Sequence, residues 1–425
     1  MIKLNGALVI SSLLLSSCHP SFQSSASNSA RHITQSSTAQ VPPKTPVPTP
    51  APAATFNPSA VIQKSSDQTT GETELIWDPS FANGVSVIPA CKNPDSNSAC
   101  ANGQQYVINN PYGNTANAPT WSLGQWGSRG TLPSQGVASQ FGFTYEDFSK
   151  LLGFGPHGEI VLGVNGKAEF YGQYADGIGL ILQQTISAPG AGSHESGSLD
   201  QMASLRFSVD MKLLEENRNI SAGYDAAKNA DIFPINFTVQ NLNRESPGYG
   251  QYIWFQIMTY GDRGLAGFYV NGDVASGMLI YAIPNEKFAP NGNVNSGQLV
   301  HLSADILADA IASVAAGFQR GVLKSGSISD YHIGGANIGY ELTGLNVSKM
   351  VFNNFSLKVK KNTSLASGFY RLGTTDAIFY VNGSNGRCVF TSWDNFIRWG
   401  GRSDTSNVTS IARFAAGMTD YGACQ

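Results

Sequence analysis

The chain has 425 residues, of which 13% are charged, with 26 Lys and Arg against 29 Asp and Glu. Lys3, Arg31, Lys44, Lys64 and Asp67 precede residue 68, so the remainder carries 22 basic against 28 acidic side chains. A nucleic-acid partner wants the opposite sign. Six scattered histidines, two of them His19 and His32, and five cysteines without a C-x-x-C spacing supply no metal or redox motif, so neither metal nor cofactor is expected.

The N-terminus opens on Lys3 and an apolar stretch, Leu8 to Leu15, interrupted by Ser11 and Ser12. That is the layout of an export signal, and it is far short of the roughly 20 apolar residues a spanning helix needs. Leu15-Ser16-Ser17-Cys18 resembles the bacterial lipobox, which implies cleavage after residue 17 and acylation of Cys18, palmitate included. The competing reading is an ordinary signal peptide that contains a cysteine. Acyl chains in pairs hold a protein on a membrane where one alone gives only marginal binding. His19 after the cysteine, by resemblance to enterobacterial sorting, implies the outer membrane, and the membrane is then a partner through the anchor. Residues 18–67 read as the lipidated cysteine and a Pro/Ser/Thr-rich linker. "VPPKTPVPTPAPAAT" has the composition of a polyproline II spacer that buries no core.

Residues 68–361 read as one large unit. Gly is abundant at 46, with 16 Tyr and 22 Phe, a texture of short strands and tight turns. Alternating or β-branched runs recur at 158–164, 167–174, 179–186, 204–214, 233–242, 251–260, 264–270, 277–283, 298–304, 332–342 and 348–360. In the last, alternation puts Met350, Phe352, Asn354, Ser356 and Lys358 on one face and Val351, Asn353, Phe355, Leu357 and Val359 on the other. Strands partly apolar on both faces suit stacked sheets, and the fold class expected is mainly β: a jelly-roll-type antiparallel β-sandwich. Two peripheral helices are expected. "TYEDFSKLLGFG" would start at Thr144 and stop at Gly153; "SADILADAIASVAAGFQRG" would be capped by Ser303, with a stripe through Ile306, Ala310, Val314 and Phe318.

Residues 368–425 read as a small α+β module. "GFYRLG", "AIFYVNG" and "RCVFTS" form a meander with "NGSNG" as a hairpin turn, and "WDNFIRWGG" forms a helical turn. So short a unit needs a staple. Four cysteines beyond Cys18 in an exported chain suggest two disulfides, and three pairings are open; Cys91–Cys100 and Cys388–Cys424 are preferred.

No G-x-S-x-G and no H-E-x-x-H occurs, and Gly153-Phe-Gly-Pro-His-Gly158 is a turn in which His157 faces solvent. Two stretches stand out. "DYHIGGANIGYELTGLNVSKMVFNNFSLKV" (330–359) is similar to the closing segment of concanavalin A-like jelly rolls and, more particularly, to the end of family 12 glycoside hydrolases. The resemblance implies that Glu341, in Gly339-Tyr340-Glu341, stands where those enzymes keep an acid/base glutamate. Their nucleophile precedes a tryptophan on a central strand; "GYGQYIWFQIM" with Trp254 offers Gly250 and Gln251 there, and a glutamine is no nucleophile. Asp210, Glu195 and Asp262 are the other acids at hand. The plainer reading of Glu341 is an outward-facing or paired strand residue.

The second stretch is aromatic: Trp121 and Trp126 in a Gly-rich segment, then Tyr249, Tyr252 and Trp254, of which Tyr252 and Trp254 share a face. Exposed rings make platforms for sugar rings; the competing reading puts Trp254 in the core. Three functions follow: a surface-tethered module that binds carbohydrate or an envelope polymer through Trp121, Trp126, Tyr252, Trp254 and Glu341; a glycan hydrolase or lyase on the same fold; or an envelope component that docks another protein. The first leads. Facing carboxylates within about 10 Å would favour the second.

Overall fold

The computed structural model describes residues 72–90, 105–114, 117–173, 177–187, 196–226, 228–264, 269–273, 276–283, 287–288, 294, 297–361, 367–373, 375–381, 386–411, 414 and 419–424. The expected leader, Cys18, the linker, Glu195 and the Cys91–Cys100 pair lie outside them.

Alternating strands build two stacked sheets. One holds, in spatial order, β15 (Val300–Asp305), β10 (Met202–Asn217), β17 (Val347–Lys361), β8 (Ile160–Asn165), β7 (Lys150–Phe154), β6 (Gly142–Glu146) and β5 (Val137–Ser139), with β1 (Thr73–Glu74) paired to β17. The other runs β13 (Tyr269–Gly272), β14 (Leu279–Ile283), β12 (Tyr252–Gly261), β11 (Ala230–Asn241), β16 (Tyr331–Thr343), β9 (Ile178–Thr185), β4 (Trp121–Trp126), β2 (Val85–Val87) and β3 (Tyr106–Ile108). Most pairs are antiparallel; β12–β14 and β2–β4 are parallel. The fold is a mainly β, jelly-roll-type sandwich.

The inner faces meet in one apolar core, and its middle is aromatic. Phe237 stacks on Phe355 at 6.3 Å, Phe207 stands edge-on to Phe237 at 6.0 Å, and Phe233 meets Tyr340 edge-on at 4.8 Å. Interlocked rings of this kind fix the register of both sheets, because a one-residue slip would turn each ring to solvent.

Several expectations are corrected. "TYEDFSKLLGFG" is no helix: it is the hairpin β6–β7, because Asp147 closes a tight turn by accepting from the backbone N–H of Ser149 (2.8 Å) and Lys150 (2.7 Å). The run expected at 167–174 forms no strand over its described residues 167–173; its start forms the short helix Gly166–Glu169, capped by Asn165 Oδ1 accepting from Ala168 N at 2.9 Å. Ser303 caps nothing: it lies in β15, and the helix begins at Leu307, whose N–H donates to Asp305 Oδ1 at 3.1 Å. Ile306, Ala310 and Val314 are buried under that helix as expected, while Phe318 is half exposed. In β17 the alternation breaks at Asn354, which has φ 52°, where the pairing with β10 shifts register. The bulge turns Met350 and Phe352 inward on one side and Phe355, Leu357 and Val359 inward on the other, so both halves of the strand serve one core.

The C-terminal part forms a separate five-stranded sheet, β21 (Val408–Ile411), β18 (Gly368–Leu372), β19 (Ile378–Val381), β20 (Gly386–Val389) and β22 (Thr419–Ala423). The helix Trp393–Arg398, capped by Ser392, packs Phe396 into it. The Cys388–Cys424 disulfide is formed. The turn at 382–385 lies outside the described residues.

Candidate functional site

The outer face of the nine-stranded sheet carries the side chains that alternate with the core residues of β12, β11, β16, β9 and β4. Register fixes which of them meet. Gln256 stands opposite Asn236, Asn236 opposite Asn337, Asn337 opposite Gln183, and Gln183 opposite Ser122. A ladder of four amides and a hydroxyl therefore crosses five adjacent strands. Amides both donate and accept, so the row matches hydroxyl groups of either polarity.

Two residues along, toward the row of Trp254, the same face carries Trp254 opposite Thr238, and Thr238 opposite Gly335. Trp254 is buried, yet it lies outside the core cluster; Tyr252 stands edge-on to it at 5.1 Å. Its Nε1 has no hydrogen-bond partner, and neither has Asn236 Oδ1. A buried donor and a buried acceptor left unpaired each cost about 1–3 kcal/mol, and both sit on this one face.

Toward the opposite end the face is shaped by glycines. Gly339, Ile181 and Gly124 form one row; Glu341, Gly179 and Trp126 form the next. The partly exposed indole of Trp126 lies over Gly124, where an added Cβ would come within 1.3 Å of the ring. Only glycine leaves room for it. The result is a trough floored by glycine, walled by an indole on one side and a carboxylate on the other.

Glu341 is half-buried. Burial pushes its carboxyl up to about 7, and the charge of Asp273, just past β13, adds to the rise. Asp273 is itself buried, accepting from the backbone N–H and the hydroxyl of Ser276. Along the row, β11 and β12 place Ile232 and Gly261 beside Glu341, so no carboxylate of these strands faces it.

The sequence candidates separate. Trp126, Tyr252, Trp254 and Glu341 share this face. Trp121 does not: it is fully buried between the sheets, stacked on Phe81 at 4.6 Å, and its Nε1 donates to the Asp78 carbonyl at 3.0 Å. The two tryptophans are five positions apart, an odd spacing that a strand sends to opposite faces. Asp210 lies on the other sheet, bound to His301 Nδ1 and Asn354 Nδ2, each at 2.6 Å. Asp262 is engaged by Asp231 N at 3.1 Å, Asn346 Nδ2 at 2.8 Å and the guanidinium groups of Arg218 and Arg263. The amide ladder and Asp273 were missed. Polar alternation through Asn236, Thr238 and Gln240 signalled an outward face, but alignment across five strands needs the register. Among the described residues no His, Cys, Asp and Glu cluster could hold a metal ion.

No family model and no curated protein matches the chain. Solved structures similar to it include the endoglucanase cel12A from Rhodothermus marinus, at 11% identity and TM-score 0.29 over 52% of this chain and 92% of that one. A family 12 xyloglucanase from Bacillus licheniformis in complex with ligand matches at 10% identity and TM-score 0.30, covering 53% and 97%. The xyloglucanase domain of NopAA, a type three effector from Sinorhizobium fredii in complex with cellobiose, matches at 9% identity and TM-score 0.25, covering 53% and 100%. Likenesses at this level do not bear on activity.

Proposed function

We propose that the outer face of the nine-stranded sheet binds a glycan chain. The observation that carries this reading is the joint placement, on one face, of an amide ladder and a partly exposed indole seated on glycine. Sugars present hydroxyls at their rims and weakly apolar C–H faces. The amides suit the first, and Trp126 suits the second. We place this body outside the cytoplasm on an outer-membrane lipid anchor at Cys18, a reading supported by the sequence of the leader and linker.

A second reading, hydrolysis, is favoured by one observation: Glu341 holds its proton to about pH 7 and feels a second carboxylate, Asp273. A carboxyl that keeps its proton near neutral pH is what the general acid of glycoside hydrolysis needs. Glu341 would protonate the leaving oxygen, and Asp273 would be the carboxylate available to take the proton of a water attacking the anomeric carbon.

The test is binding of purified residues 18–425 to plant, algal and bacterial polysaccharides, paired with a reducing-end assay. Wild-type retention lost in Trp126→Ala supports the binding face. No retention on any polymer refutes it. Sugar release abolished in both Glu341→Gln and Asp273→Asn supports hydrolysis; retention without release leaves a binding module. For the anchor, Cys18→Ser should leave the membrane fraction, and continued retention there refutes lipidation.

A further inference from the structure

The small C-terminal sheet is apolar on both faces. Tyr370, Val381 and Phe414 close one face in a core of their own. On the other, the buried Phe396 of the helix is ringed by aromatic side chains: Phe369 at 5.2 Å, Phe390 at 5.6 Å and Trp393 at 5.0 Å between ring centroids. Trp399 continues the cluster, edge-on to Tyr380 at 5.1 Å and to Phe390 at 5.8 Å. A unit this small needs its rings for a core. Yet Trp393 and Trp399 are 49% and 41% exposed, and Ile397 between them in the sequence is 40% exposed. Indoles held in solvent on a firm ring cluster mark a contact surface.

The chain itself carries a matching ligand. Residues 41–54, VPPKTPVPTPAPAA, hold six prolines: Pro42, Pro43, Pro46, Pro48, Pro50 and Pro52. Such a composition favours polyproline II before any contact, so docking it on aromatic rings costs little order. The point where the chain enters the sandwich puts the segment within reach. β1 runs antiparallel to β17, with Thr73 opposite Val359 and Glu74 opposite Lys358. The direction of β1 therefore carries the preceding residues toward the end where β17 finishes at Lys361, and the C-terminal sheet starts at Gly368. Residues 55–71 can span about 55 Å, enough to pass along a compact unit whose radius of gyration is about 10 Å. Charge agrees: Lys44 is the only charged residue of the segment, and the exposed Asp394 follows Trp393 in the first turn of the helix.

We propose that the aromatic face of the C-terminal sheet, with Trp393 and Trp399 foremost, docks the proline-rich segment 41–54 of the same molecule, Lys44 lying toward Asp394. The module is a clasp that holds the linker along the body. The inference is independent of the glycan reading of the trough.

Calorimetry tests it with a synthetic peptide of residues 39–56, titrated into the chain 18–425 and into the same chain lacking residues 41–54. The peptide should bind the deleted chain and bind the intact chain about tenfold more weakly, because a tethered segment at about 1 mM effective concentration competes against a Kd of about 0.1 mM. Peptides carrying Pro43→Ala with Pro46→Ala, or Lys44→Glu, should bind the deleted chain several-fold more weakly, and these changes leave the body's fold untouched. Trp393→Ala and Trp399→Ala in the deleted chain should each abolish peptide binding; where either unfolds the module, the peptide series decides. Equal affinity for the intact and deleted chains refutes docking within one molecule. So does an intact chain that dimerises with concentration and stays monomeric once 41–54 is removed, which would seat the segment on a second copy. No peptide binding to the deleted chain refutes the assignment outright; uptake of cello-oligosaccharides or of phosphatidylglycerol vesicles, lost in Trp399→Ala, would then give the face to a glycan or to a lipid surface.

Discussion

Glu341→Gln offers a quantitative test of the site's electrostatics. An isolated glutamate titrates near 4.5; in the fold Glu341 titrates near 7. The folded chain holds this proton more tightly than the unfolded one. Stability therefore falls as pH rises from 4.5 to about 7, and the loss is complete above that window. The shift corresponds to roughly 3 kcal/mol, and solvent reaching the half-buried side chain reduces the expectation to about 2 kcal/mol. Glutamine has the same shape without the charge. At pH 5 the variant should unfold close to wild type; at pH 8 it should be more stable by about 2 kcal/mol, or some 4 °C in Tm. Thermal unfolding of both proteins between pH 5 and 8.5 measures the difference, from which groups common to both cancel. Asp273→Asn should move the window to lower pH, since its charge contributes to the rise. A wild-type-to-variant difference that stays flat from pH 5 to 8.5 would falsify the claim that Glu341 is protonated in the trough.

Three further outcomes follow from particular contacts. Gly124→Ala should displace the Trp126 ring, which has no room above a Cβ; glycan retention should drop as far as in Trp126→Ala while far-UV circular dichroism is kept, and unaltered retention would show that the ring is not the platform. Asp231 is fully buried, and burial raises its carboxyl from 3.8 to about 8. Wild-type stability should therefore fall between those values as pH rises, and Asp231→Asn, which removes the ionisation, should flatten the decline in a denaturant titration series; an unchanged slope refutes a protonated Asp231. Cys388→Ser opens a bridge spanning 36 residues, worth about 4 kcal/mol. The C-terminal sheet should become protease-sensitive at a concentration that leaves the sandwich intact; equal resistance of both parts would refute the staple.

Much of the sandwich was legible because its strands alternate. In β11 and β12 a core residue follows an outward one at nearly every step, and period 2 is a local property. The failures lie where a local pattern permits two answers. "TYEDFSKLLGFG" carries helix-start chemistry, but the same Asp147 closes a hairpin once Leu152 and Phe154 have a core to enter. In the strand 348–360 the large apolar positions pass from even (Met350, Phe352) to odd (Phe355, Leu357, Val359) across Asn353–Asn354, a change of phase that strict alternation reads as two faces and the bulge at Asn354 turns into one. The short strands at Val85–Val87 and Tyr106–Ile108 carry too few residues for any period to show.

The site divides along the same line. Composition, alternation and cysteine placement determined that this is a glycine- and aromatic-rich sandwich with a bridged C-terminal sheet, because each is written within a few consecutive residues. Which amides stand side by side, why Trp121 turns inward while Trp126 rests on Gly124, and how Arg129 comes to lie beneath Tyr171 were decided by the tertiary fold, in which paired strands set residues 164 positions apart, Ile178 and Leu342, side by side. Lateral register depends on how two cores interlock, and no single strand contains that information.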